Sequence, residues 1–212
     1  MTETVDFVIS DLSAAVLAGG ASSRMGQNKA LLTLGSERLI ERVVARLCAL
    51  SNDVMVITNT PESYEFLAGL CRFVPDVTGP GQGPLAGIAS ALSAARHARV
   101  LVVATDMPFL NLSLLHHLAR LEPQADVLVP VIAPDGFPET LHAIYGKGAL
   151  PVIEAQLAGG SRKITHFFRD VRVREVPAEE IRSFDPAFRS FFNVNTPEEW
   201  AEAERLDASS MP

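Results

Sequence analysis

The run "VLVVA" at positions 100–104 constrains the fold more than any other segment of the chain. It leaves no polar face, which is the pattern of a strand covered on both sides. Such strands belong to parallel sheets flanked by helices, so strands and helices should alternate around it. They do. Apolar strands are predicted at 14–18, in "DVMVIT" (53–58), in "RFVPD" (72–76) and in "DVLVPV" (126–131). Helical spacing runs over Leu39–Leu50, with Leu39, Ile40, Val43, Val44 and Leu47 on one core-facing side. A short helix opens near Pro61, another covers 85–96 behind Pro84, and a third covers 112–121. Repeated β-α-β units with short connections predict an α/β fold, a mostly parallel central sheet with helices on both faces, in one domain over 1–212. Beyond residue 135 the alternation gives way to more Pro, Arg and Phe. That part is expected to be a lid or substrate-side extension packed on the same sheet. The ends, 1–12 and 208–212, with the tail "DASSMP", are expected to be flexible.

Composition narrows the function. Net charge is −7, without the basic stripes that nucleic acid or anionic membrane surfaces require. The opening "MTETVDFVISDL" is acidic and unlike a secretory signal, and no run reaches bilayer-spanning length. Cys48 and Cys71 form no CxxC pair, which suits a reducing cytoplasm. The expectation is a cytoplasmic protein that binds neither nucleic acid nor membrane.

In sheets of this kind ligands bind outside the carboxyl ends of the strands, so the loops after Ala18, Thr58, Asp76 and Thr105 should converge. The first of these loops lies in "AAVLAGGASSRMGQNKALL". No acid occurs between Asp11 and Glu37, while Arg24 and Lys29 supply two cations. The stretch is neither a Walker A motif nor GxGxxG. Gly19 and Gly20 can bring backbone N–H groups close to an anion. Arg24 offers a planar fork for phosphate oxygens and Lys29 a point charge on a flexible stem. A tight turn with solvated basic residues is the alternative that this loop alone leaves open.

The carboxylates add weight. Between Phe66 and Leu121 the acids are Asp76 and Asp106, each at the end of a predicted strand. A carboxylate beside phosphates calls for a cation between them, so Asp106 suggests Mg²⁺. Its plainer use is as a cap or turn residue ahead of Pro108. Asp76 can cap its own loop or accept from two adjacent N–H groups of a purine. In "GPGQGPLAGI", the approach to Gly83, Pro84 and Leu85 allows a backbone to come close to a flat ring. In "FFNVNTPEEW", Thr196, Pro197 and Glu199 form a helix-capping box, which leaves Asn193 and Asn195 without a local explanation. As alternate residues of an extended segment, both point to one side. His97, His116, His117, His142 and His166 show no zinc-ligand spacing.

Taken together, "LAGGASSRMGQNKALL", "GPLAGI", "TDMPFL" and "NVNTPEEW" closely resemble the molybdenum cofactor guanylyltransferases, over about Ala14 to Ala203. The first motif marks the wider nucleotidyltransferase superfamily; "GPLAG" with "DMPFL" narrows it to the guanylyl branch. The resemblance implies a Rossmann-like nucleotidyltransferase fold. It also implies GTP contacts at Leu17, Ala18, Gly19, Gly20, Lys29, Asn59, Asp76, Gly83, Pro84, Leu85 and Asp106. Asp106, joined by Asn195, would hold Mg²⁺, and Arg24, Lys29 and Asp106 would form the catalytic set. Arg24, Arg162 in "GGSRKITHFF", Asn193 and Asn195 fall at positions linked to the molybdopterin side. Many relatives have Cys where this chain has Thr105, and a Pro-Leu pair where it has Thr140-Leu141; neither change removes a charge. The implied reaction is attack of the molybdopterin terminal phosphate on the α-phosphorus of GTP, releasing pyrophosphate. Transient contacts with molybdenum-insertion and molybdoenzyme-maturation proteins are implied with it. The rival readings are a related transferase using CTP or a sugar 1-phosphate, and a non-catalytic nucleotide-binding module.

Overall fold

The computed structural model describes residues 8–18, 28–76, 83–122, 124–133 and 135–209. Its first strand, β1 (Leu12–Leu17), is buried at every position. A small hairpin of β2 (Thr33–Leu34) and β3 (Glu37–Arg38) leads into α1 (Leu39–Leu50), whose boundaries match the predicted helix. Then come β4 (Val54–Ile57), a 3₁₀ segment Pro61–Leu67, and β5 (Arg72–Val74). Next are α2 (Pro84–Ala94), β6 (Arg99–Ala104) and α3 (Leu112–Arg120). The remainder supplies β7 (Val127–Val131), β8 (His142–Gly146), α4 (Leu150–Ala158), β9 (Val173–Pro177), α5 (Ala178–Arg182) and α6 (Pro197–Ala208).

Seven strands form one sheet in the order β5-β4-β1-β6-β8-β7-β9. β1 lies parallel between β4 and β6, and β6, the buried run read from the sequence, is central, with β1 on one side and β8 on the other. Alternate residues of β1 feed two cores. Ala14 and Val16 join α1 and α3 on one face; Ala15 and Leu17 join α2 and α4 on the other. α2 is buried over Leu85 to Leu92 because it sits between the sheet and α4. Gly87 makes that approach possible: a Cβ there would stand 3.1 Å from a methyl of Leu17.

The region beyond residue 135 is more than an extension. β8 runs antiparallel between β6 and β7, and β9 closes the edge beside β7 in parallel. A substantial part of the sheet thus comes from the half where the alternation faded. The tail is also more ordered than expected. α6 continues through Ala208, and the Asp207 carboxylate pairs with Arg42 of α1. At the other end, the Ile9 N–H donates to Leu50 O at 2.8 Å and Leu12 already belongs to β1, so residues 9–12 are held.

Parallel strands bring their carboxyl ends to one edge. β1, β4, β5, β6, β7 and β9 all end there, and antiparallel β8 begins there.

Candidate active site

Of the loops expected to converge at that edge, 19–27 and 77–82 lie outside the described residues, while those after Thr58 and Thr105 are described. Asp106 follows β6 by two residues, and its backbone carbonyl accepts from the Val194 N–H at 2.9 Å. This bond docks the 193–195 segment beside Asp106. A brace behind it holds the approach: the buried Asp185 carboxylate accepts from the N–H groups of Arg189 (3.0 Å) and Ser190 (2.8 Å), while the Ser190 hydroxyl accepts from Asn111 N–H at 2.9 Å. The capping box of α6 forms as read. Thr196 Oγ1 accepts from Glu199 N–H at 3.2 Å, and Glu199 Oε2 accepts from the N–H groups of Asn195 (2.6 Å) and Thr196 (2.9 Å).

From the opposite side comes Lys29, on the 3₁₀ turn Lys29–Leu31. Its Nζ donates to Asn195 Oδ1 at 2.8 Å. Its charge is close enough to act on the Asp106 carboxyl. That carboxyl is half-buried, and one oxygen, Oδ1, is shut off from solvent with no hydrogen-bond partner among the described residues. Burial pushes the Asp106 pKa up, and the Glu199 carboxylate adds to the rise. Its own backbone N–H and the Lys29 ammonium pull it down without cancelling the effect.

The base-side residues also meet. Asn59 Oδ1 accepts from the Asp76 N–H at 2.9 Å, so the Asn59 amide oxygen holds the loop that carries Asp76. The Ser90 hydroxyl of α2 lies 3.5 Å from Asp76 Oδ1. Gly83 caps α2 with φ +79°, a conformation that favours glycine, and Pro84 takes the first helical position. Leu85 offers a ligand its backbone alone, since its side chain is wholly buried in the core. Leu17 is likewise core, packed on Gly87. Gly19, Gly20 and Arg24 lie outside the described residues, as does 77–82 of the glycine-proline loop.

On the acceptor side, Arg162 is exposed at the turn after α4, where Gln156 Nε2 donates to the Lys163 carbonyl at 2.9 Å. Asn193 points differently from Asn195: its amide donates to Phe191 O at 3.2 Å, a bond within its own turn. The pair therefore do not act alike. Sequence reasoning missed Asn28 and Tyr64, whose side chains bond each other at 2.9 Å next to Lys29. Among the described residues no three His, Cys, Asp or Glu side chains group as a metal site. A groove of about 610 Å³ runs along α1 and the 108–112 segment, but its cations are balanced. Its lining holds three arginines, Arg42, Arg46 and Arg189, and three acids, Glu37, Asp185 and Asp207, which leaves no surplus charge for a triphosphate.

Lys29, the Asp106 carboxylate and the paired Asn59–Asp76 loop all lie at the carboxyl edge of the sheet. The MobA-like NTP transferase domain matches residues 14–175. The chain belongs to that family. A probable molybdenum cofactor guanylyltransferase from Carboxydothermus hydrogenoformans is 40% identical over 199 residues, covering 92% of this chain and 95% of that protein. The crystal structure of molybdopterin-guanine dinucleotide biosynthesis protein A from Archaeoglobus fulgidus superposes with a TM-score of 0.80 at 31% identity, covering 93% of this chain and 99% of that one. The 2-C-methyl-D-erythritol 4-phosphate cytidylyltransferase of Thermus thermophilus gives a TM-score of 0.67 at 19% identity, covering 92% and 98%, and shares the fold alone. Within the MobA-like family the resemblance read from the motifs is therefore the right one. No helix among the described residues is long and apolar enough to cross a membrane.

Proposed function

We propose that the protein transfers GMP from GTP to the terminal phosphate of molybdopterin, giving molybdopterin guanine dinucleotide and pyrophosphate. The observation that carries the reading is Lys29 held against Asn195 beside the buried, unpartnered Oδ1 of Asp106, on the scaffold of this family. The acceptor phosphate is already an anion at neutral pH, so the chain need not provide a strong base. A bond forms from its oxygen to the α-phosphorus of GTP, and the bond to the β-phosphate oxygen breaks. The residues' task is positioning and charge neutralisation.

In this reading Lys29 takes the triphosphate, and Asn195 orients Lys29 through its amide oxygen. Arg24 would add a second cation. Asp76 would meet the guanine edge, with Asn59 holding its loop, and the backbone from Gly83 to Leu85 would lie along the base. Arg162 and the asparagine segment would face the acceptor. Mg²⁺ fits the site: it takes one or two carboxylates and completes its shell with phosphates and water, and Asp106 offers one oxygen with no other partner. When bound it would neutralise phosphate charge. Asn195 Oδ1 already accepts from Lys29, which favours a positioning role for it over a metal-ligand role. The expected cytoplasmic setting and the contacts with molybdenum-insertion and molybdoenzyme-maturation proteins belong to the same proposal. Incubating the protein with Mg²⁺, molybdopterin and each nucleoside triphosphate in turn, with product identification, tests it.

A further inference from the structure

We propose that the buried phenol of Tyr64 is a positioning residue for phosphate transfer: it ties the end of β1 to Asn28 and so fixes where the Lys29 ammonium stands. The inference rests on Lys29 being a phosphate ligand. Tyr64 comes from the 3₁₀ segment Pro61–Leu67, where its backbone leaves helical geometry (φ −126°, ψ 16°). Its side chain is fully buried. The hydroxyl donates to the Ala18 carbonyl at 3.2 Å and accepts from Asn28 Nδ2 at 2.9 Å. Ala18 and Asn28 are the described residues on either side of the 19–27 stretch, so a single hydroxyl holds both together.

The restraint passes to Lys29 through Asn28. Its other amide atom, Oδ1, accepts from the Ala30 N–H at 3.2 Å and caps the turn Lys29–Leu31. Ala30 is buried, which seats that turn in the core. With both ends of the Asn28 amide engaged, the turn has little freedom to rotate, and the Lys29 stem leaves it toward Asn195. A phenylalanine would fill the same core volume. A buried hydroxyl costs stability unless it is partnered, and its partners here are Ala18 at the end of β1 and Asn28 beside Lys29. Burial pushes the Tyr64 pKa up although the Asn28 bond lowers it, so the phenol stays protonated and remains a donor.

Tyr64→Phe tests this while keeping the ring. Steady-state pyrophosphate release should show kcat/KM for GTP reduced about two- to tenfold, the effect of a lost neutral hydrogen bond. In a Lys29→Ala background the same change should add no further loss, because its effect passes through Lys29. Losses that multiply would overturn the proposal. A second measurement needs no substrate. Acetic anhydride acylation of Lys29, followed by mass spectrometry, should run faster in Tyr64→Phe, with exposed Lys163 as internal control. Equal rates at Lys29 would also overturn it. Because acylation is read without nucleotide, a wild-type protein that fails to transfer GMP would sink the proposed function and leave the clamp standing.

Discussion

Lys29 Nζ and Asn195 Oδ1 stand 2.8 Å apart although 166 positions separate them in the chain. The bond joins the turn after β1 to the segment docked on Asp106, so the lysine reaches its place through tertiary packing. Loss of one charge-assisted contact costs roughly 1.5–3 kcal/mol. Lys29→Ala should therefore lower kcat/KM for GTP about ten- to a hundredfold in a pyrophosphate-release assay. Asn195→Ala should cost less, since the lysine survives. Unaltered kcat/KM in Lys29→Ala would remove it from the site.

Asp106 should behave as a functional and not a structural carboxylate. Its buried Oδ1 has no hydrogen-bond partner among the described residues, and its pKa is raised, so its ionised form costs the folded state energy. Between the unfolded and the raised folded pKa the folded protein holds the extra proton, so this group makes stability fall as pH rises. Asp106→Asn should leave Tm unchanged or higher while abolishing Mg²⁺-dependent turnover. Without Mg²⁺ the Asp106 carboxyl should titrate above the ordinary carboxylate range, and Lys29→Ala should move it higher still, as it removes a charge that favours ionisation. A lowered Tm together with near-normal turnover in Asp106→Asn would contradict both points.

Some of this was legible in the sequence. The apolar run of β6, the spacing of α1 and the capping box of α6 are local patterns, and each formed where it was read. β8 was not legible. "HAIYG" is short, and its antiparallel place between β6 and β7 follows from pairings with distant residues such as Val103↔His142. The site divided in the same way. Asp76 and Asp106 stood out because acids are sparse around them, whereas the Asn28–Tyr64 bond spans 36 positions and leaves no periodic trace. Asn193 and Asn195 alternate as expected, but turn geometry sends the first amide back to Phe191.

At the opposite edge of the sheet, Asp53 should govern stability. It is almost fully buried and accepts from Ser13 Oγ (2.6 Å), Arg96 N–H (2.9 Å) and the Arg72 guanidinium (2.7 Å). Burial opposes its ionisation, but these bonds outweigh it and hold the pKa below the usual carboxylate value. A depressed pKa contributes stability that is present above the unfolded value and lost as pH falls through the folded one. Asp53→Ala removes a buried acceptor from Ser13, Arg72 and the Arg96 N–H, while the partly exposed Arg72 keeps its bond to the Ala94 carbonyl, and should cost about 1–3 kcal/mol. Urea unfolding at neutral and acidic pH checks this; a change under 1 kcal/mol at neutral pH would show the network to be dispensable.

Base choice should depend on Asp76. Guanine presents N1–H and its amine side by side, whereas adenine leaves a facing carboxylate unpaired, and sites built on such bonds reject the wrong partner strongly. Asp76→Asn should narrow the preference for GTP over ATP, read as the ratio of kcat/KM values. Asn59→Ala should do so more weakly, since it acts by holding the Asp76 backbone. Equal losses for both nucleotides would place Asp76 away from the base edge.

Product analysis tests guanylyl transfer most directly. The protein is mixed with Mg²⁺ and molybdopterin, and GTP, ATP and CTP are supplied separately. Pyrophosphate is quantified, and the pterin product is identified by mass spectrometry. GTP should yield molybdopterin guanine dinucleotide and pyrophosphate in equal amounts, with ATP and CTP far slower. Preference for CTP, or GTP bound without formation of the dinucleotide, would contradict the account.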